Sequence, residues 1–126
     1  MRRAAASLAA GWLAIGPAPA LAAPAAGTYA ARLCVTLAEQ PASCGDAHAR
    51  LTGHHLRVRV SDIEYRLELQ PRRPAGDLIA QLMHGTMQID EFNAPYEWRG
   101  NALQFDDADK RTRYEVQLGK RQRATK

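Results

Sequence analysis

Long apolar runs are nearly absent from this chain of 126 residues. The longest lies at the N-terminus, from Ala4 to Ile15, and is shorter than the roughly 18 residues that a membrane-spanning helix needs. Two arginines precede it, no acidic residue occurs before residue 23, and the segment ends in Ala20-Leu21-Ala22, a small-x-small cleavage pattern. Residues 1–22 are therefore predicted to be a secretory signal peptide. The protein is predicted to be periplasmic or secreted and not membrane-spanning.

Catalytic motifs are also missing. After residue 22 the serines are Ser43 and Ser61, and neither stands in a G-x-S-x-G setting. There is no Walker loop, no dinucleotide-binding glycine fingerprint and no H-E-x-x-H. The carboxylates of residues 90–91 and 106–109 are interpreted as solvated charge, because nothing in the sequence indicates that they are buried. No catalytic residue and no cofactor is predicted.

Cysteine is scarce, with Cys34 and Cys44 as the two in the chain. In an exported protein two cysteines most simply form a disulfide, because that compartment oxidises exposed thiols. A metal or redox pair is less favoured, since neither C-x-x-C spacing nor a second ligand pair is present. His48, His54 and His55 lie close in sequence, but adjacent residues of a strand point to opposite faces, so exposed loop histidines are predicted and no metal site.

Positive charge is not spread over a broad surface. The formal net charge of +4 falls to +2 when Arg2 and Arg3 leave with the signal peptide. The segment 120–126, predicted to be a basic C-terminal tail, carries four positive charges, which leaves about −2 on the rest of the mature chain. Nucleic-acid binding is not predicted, because it needs a broad positive surface.

The mature chain does have apolar residues at alternate positions. Residues 28–37 alternate in this way, which predicts a half-buried strand. If Cys34 lies opposite Cys44, the next strand pairs with it residue by residue. Two-residue hairpin turns at Gly53-His54 and Ser61-Asp62 then continue a meander of four strands. At Ser61-Asp62 a bulge inside one long strand is the alternative.

Residues 77–84 fit two patterns. Read as a helix, the segment begins with an aspartate N-cap and ends before Gly85. Read as a strand, it is joined by a tight turn at His84-Gly85 to a strand containing Met87 and Ile89. The strand is favoured, because the neighbouring segments form hairpins.

The C-terminal segments are simpler. Tyr96 and Trp98 are predicted to pair with Phe105 and Leu103 around a turn at Gly100-Asn101. The inward side chains of the last strand are predicted to be Thr112, Tyr114, Val116 and Leu118.

These elements predict an all-β fold with eight or nine short antiparallel strands in a single domain over residues 23–119. Because open sheet edges are a liability, the strands are expected to form a closed or nearly closed β-barrel, with a two-sheet sandwich as the alternative. A short helix is included if residues 77–84 are helical. The predicted interior sets large aromatics against alanines: Tyr29, Tyr65, Tyr96, Trp98, Phe105 and Tyr114 against Ala31, Ala47, Ala49 and Ala80.

A signal peptide followed by a compact, disulfide-linked barrel resembles in general plan the small exported lysozyme inhibitors and some bacterial immunity proteins. The likeness covers architecture alone, and no motif of those proteins is matched to residues of this chain. The function predicted first is an exported binding module, acting as a protein inhibitor or immunity-type factor or binding an anionic surface.

Two other functions stay open. The first is a carrier of a small apolar or aromatic ligand inside the barrel, since an eight-stranded barrel is just wide enough to be filled by side chains or to hold one ligand. The second is an enzyme with a site assembled from Asp90, Glu91, Glu97 or the histidines. The sequence predicts no oligomeric state.

The predicted register gives one candidate binding site. It places Arg57 opposite Arg50 on one side and opposite Arg66 on the other, so three arginines form a row across three strands, roughly 5 Å apart. Like charges directly opposite are unfavourable on a sheet, and arginine is well shaped for carboxylate or phosphate. An anionic ligand or an acidic protein partner is predicted to bind here, with Arg59 and His48 one row away.

The alternative is a solvated face. Glu64 and Glu68 flank Arg66 in the sequence, long side chains can splay into water, and exposed charges at such distances are heavily screened.

Overall fold

The computed structural model describes residues 23–71 and 76–122, which form an all-β structure of eight antiparallel strands closed into a barrel. The strands are β1 (Gly27–Leu37), β2 (Ser43–Thr52), β3 (His55–Val60), β4 (Ile63–Gln70), β5 (Gly76–His84), β6 (Met87–Arg99), β7 (Ala102–Asp107) and β8 (Thr112–Gln122). Each strand pairs with the next along the chain, and β1 pairs with β8 to close the ring. The predicted barrel is confirmed, and the sandwich alternative is wrong.

The first four strands have the predicted register. Cys34 lies opposite Cys44, and the β2–β3 hairpin places Leu51 opposite Leu56. Val60 pairs with Ile63, so the chain reverses at residues 61–62 and the bulge alternative is wrong. The polar residue at the first turn position, Ser61, accepts a positive φ of 58° to make this tight reversal.

Residues 76–84 form strand β5, so the helical interpretation of residues 77–84 is wrong. The predicted turn is displaced by one residue: His84 pairs with Met87, and the turn is Gly85-Thr86, with a φ of +64° at the glycine. A register shift after Leu82 leaves Ile89 as an extra, unpaired residue. Met87 and Ile89 are exposed, at 65% and 51%.

Inward side chains from all eight strands form the barrel core. The predicted aromatics and alanines take part in it, and the largest fully buried side chains are aliphatic. These are Leu56, Val58, Leu67, Leu78, Leu103 and Val116. The last strand buries Thr112, Tyr114, Val116 and Leu118, as predicted.

The disulfide between Cys34 and Cys44 joins β1 to β2 at directly opposite positions. Strand β8 continues to Gln122, into the segment expected to be a basic tail. The predicted signal peptide, residues 1–22, and residues 123–126 of that tail lie outside the described residues. Within the part of the chain that the structure describes, no helix is long and apolar enough to cross a membrane.

Candidate functional site

The three arginines of the predicted row lie side by side on the outer face of the barrel. Arg50 on β2 is directly opposite Arg57 on β3, and Arg57 is directly opposite Arg66 on β4. Their inward neighbours on these strands are buried or half-buried, which fixes the arginines on the outside. The row ends in uncharged polar residues, Thr28 on β1 and Gln81 on β5. That these arginines bind a ligand stays a prediction.

The arginines of this row differ in their charge partners. Arg66 Nε lies 2.9 Å from Glu64 Oε1, two residues earlier on the same strand, so its charge is partly compensated. No carboxylate lies within 4.0 Å of the guanidinium groups of Arg50 or Arg57, counting the described residues. The two uncompensated charges are therefore direct cross-strand neighbours, which disfavours the sheet unless an anion or solvent screens them.

A second row adds to the same surface. His48 on β2 lies opposite Arg59 on β3, and Arg59 lies opposite Glu64 on β4. His48 and Arg59 are exposed, and Glu64 turns toward Arg66 instead. These residues form one outer surface, the arginine face, which consists of His48, Arg50, Arg57, Arg59 and Arg66.

One further arginine was missed because residues 120–126 were expected to be a tail. Arg121 lies in β8 opposite Tyr29 and lines a cleft of about 490 Å³ together with Arg50. Thr28 and Thr52 supply hydroxyl groups to the same cleft. The position of Arg121 could have been predicted only from the pairing of β8 with β1, and that pairing forms only because the barrel closes.

The three histidines singled out in the sequence lie on the surface. His48 and His55 are exposed on β2 and β3, and His54 is exposed in the turn between them. In residues 23–71 and 76–122 no three histidine, cysteine or acidic side chains converge in a way that could hold a metal ion.

Side chains occupy the barrel interior where a ligand was considered. Phe105 stacks on Tyr114 with ring centroids 4.9 Å apart, and Phe92 stacks on Tyr114 at 5.9 Å. Tyr65 meets Tyr114 edge to face at 5.8 Å. Burial in this cluster raises the pKa of Tyr114 to about 12, with Tyr65, Asp107 and Asp90 adding to the effect. The Tyr114 phenol therefore stays protonated at neutral pH.

One acidic residue that was predicted to be solvated is buried. Asp107 is 4% exposed, because β7 extends far enough to make it the third inward residue after Leu103 and Phe105. Its neighbour Asp106 points outward and pairs with Arg113 at 3.3 Å. The period-two alternation that placed Phe105 inside could also have placed Asp107 there.

No protein-family model, no curated protein and no solved structure matches this chain.

Proposed function

We propose that the protein is an exported β-barrel that binds an acidic surface of a partner protein through its arginine face, as an inhibitor or immunity-type factor does. The observation that carries the proposal is the direct cross-strand pairing of Arg50 with Arg57, neither of which has a carboxylate within 4.0 Å among the described residues. Repulsion between these two charges lowers the stability of the free protein, and carboxylates of a bound partner relieve it.

The geometry of guanidinium groups supports this choice of ligand. Arginine presents a planar set of donors that can bind a carboxylate through two parallel hydrogen bonds. The arginine face stands on paired strands of a closed barrel, and the disulfide joins β1 to β2, one of its strands. A rigid support lowers the entropy cost of binding. Export is supported by the pattern of residues 1–22 and by this disulfide.

The carrier function is the second candidate. It is favoured by half-buried apolar side chains at one end of the barrel, Val35, Val60, Tyr65 and Phe92. It is disfavoured by the buried, stacked rings of Phe105 and Tyr114, which fill the interior beside them. If the carrier is correct, native mass spectrometry of protein purified from its own host detects a retained small molecule.

Replacing Arg50, Arg57 and Arg66 together with serine is expected to weaken binding of a short poly-L-glutamate peptide by roughly tenfold, which corresponds to about 1.4 kcal/mol. The salt dependence of binding is expected to fall as well, because fewer charges are neutralised. Thermal stability is expected to stay level or rise, since opposed like charges are removed. Isothermal titration calorimetry at two salt concentrations measures the first two effects, and thermal unfolding measures the third.

The matched control replaces Arg32, Arg99 and Arg113 with serine. These arginines are exposed on other strands, so the control removes an equal number of positive charges. Arg99 and Arg113 already pair with Glu97 and Asp106. This control is expected to bind like the unmodified protein. Equal weakening in both triple variants would show that net charge alone attracts the peptide and would overturn the proposal.

A further inference from the structure

Two carboxylates converge at the end of the barrel formed by the β7–β8 turn. Asp107 lies opposite Thr112, and both side chains are buried. On β6, Asp90 lies opposite Leu82 and two residues before the inward Phe92, so it takes an inward position of the strand. This placement follows from the extra residue at Ile89, which shifts the alternation of β6.

A lysine from the adjoining turn reaches both carboxylates. Lys110 Nζ contacts Asp90 Oδ2 and lies 3.7 Å from Asp107 Oδ2. The hydrogen bond that Lys110 donates to Asp90 lowers the pKa of Asp90 and raises the pKa of Lys110. One ammonium group thus faces two carboxylates, which leaves one negative charge without a counterion in this cluster.

Asp107 is the less well compensated of the two carboxylates, because Lys110 Nζ contacts Asp90 Oδ2 and lies 3.7 Å from Asp107 Oδ2. Its side chain is 5% exposed, and its Oδ2 accepts no hydrogen bond from the described residues. A buried carboxylate oxygen without a donor is costly, because the water that solvated it is not replaced. The position therefore favours a ligand that brings a hydrogen-bond donor and a positive charge.

A cleft adjoins Asp107. Asp107 lines a cleft of about 550 Å³ with Phe92 and two further acids, Glu91 and Asp109. The Phe92 ring, stacked on Phe105 and Tyr114, supplies an aromatic surface. On the other side of Asp107, Arg111 and Arg113 line a separate cleft, and neither comes within 4.0 Å of the Asp107 carboxylate.

We propose that this cleft, lined by Glu91, Phe92, Asp107 and Asp109, is a second binding site, for a small alkylammonium ligand. An ammonium group donates hydrogen bonds to carboxylates, and an aromatic face attracts a cation and packs against its alkyl chain. A metal ion is a poorer occupant, because no three ligands converge in the described part of the chain. The Lys110 ammonium, 3.7 Å from Asp107 Oδ2, is the internal competitor for the Asp107 carboxylate.

This site is independent of the arginine face. It lies on β6 and the β7–β8 turn, whereas the arginine face lies on β2–β4, and the two take ligands of opposite charge. Failure of one proposal leaves the other standing.

The test titrates the full mature protein with n-butylammonium chloride at constant ionic strength, followed by NMR, with n-butanol as the uncharged probe of similar shape. Saturable binding of roughly millimolar affinity is expected for butylammonium and none for butanol. Lys110→Met is expected to tighten butylammonium binding by roughly tenfold, because the competing ammonium is removed. Asp107→Asn is expected to abolish saturable binding.

Asp106→Asn is the matched control, since Asp106 is adjacent in sequence but points outward. It is expected to bind butylammonium like the unmodified protein. Unchanged or weaker binding by Lys110→Met would overturn the proposal, and so would equal losses from Asp106→Asn and Asp107→Asn. If Asp107→Asn does not fold, the Lys110→Met result decides, because Lys110 is exposed in a turn.

Discussion

Phe105→Ala is expected to lower the free energy of unfolding by about 3–5 kcal/mol, the range for truncating a well-packed core phenylalanine. Phe105 is 2% exposed and stacks on both Tyr114 and Phe92. Alanine removes the ring and leaves a cavity that a closed ring of hydrogen-bonded strands cannot collapse to fill. Urea denaturation with linear extrapolation measures the change.

Phe92→Ala is the control for this prediction. Phe92 belongs to the same aromatic cluster but is half-buried near the rim, so its truncation is expected to cost markedly less. If the two variants lose the same small amount of stability, the Phe105 ring already faces empty space. That outcome would contradict a filled interior and favour the carrier function.

Replacing Cys34 and Cys44 together with serine is expected to lower stability by about 2.5–3 kcal/mol, from the loop entropy that a bridge across ten residues removes from the unfolded chain. For a domain of this size the loss corresponds to a decrease in Tm of about 10–20 °C. Calorimetry of the double variant beside the unmodified protein measures it.

Two further observations check the disulfide prediction. Reduction of the unmodified protein is expected to lower the Tm by a similar amount, while the double variant is insensitive to reductant. Two free thiols in the mass spectrum of the exported protein would contradict both the disulfide and the compartment inferred from it.

Most of the hairpin registers could be predicted because they are set by local rules. A two-residue turn fixes the pairing of its flanking strands, and the apolar parity must agree on both. That agreement placed Leu51 opposite Leu56 and Trp98 opposite Leu103, as observed. Closure between β1 and β8 is a non-local pairing, so the sequence favoured a barrel without fixing how the ends meet.

The errors in the predicted fold arise where local sequence signals compete. The turn was predicted at His84-Gly85 and is formed by Gly85-Thr86, because a glycine can take either position of a two-residue turn. The bulge at Ile89 has no marker residue. The extra residue at Ile89 moves Asp90 to the inward side of β6, where it meets Lys110. Because a slip of one residue exchanges the two faces of a strand, a small error there concealed the acidic cluster.

The sequence predicted which arginines form the row, but not which of them have a carboxylate partner. The register predicted from the two hairpin turns places Arg50, Arg57 and Arg66 side by side, and the structure has the same pairs. Which of them is compensated depends on side-chain rotamers, since Glu64 contacts Arg66 on its own strand rather than Arg59 across from it. Period-two patterns carry no information about that choice.

The most direct test of the central proposal is to map where the poly-L-glutamate peptide binds, by following backbone amide shifts of isotope-labelled protein during a titration. The proposal predicts that saturable shift changes concentrate on the outward positions of β2–β4, around Arg50, Arg57 and Arg66. Changes spread equally over Arg32, Arg99 and Arg113, or concentrated at the interior aromatic residues, would contradict it.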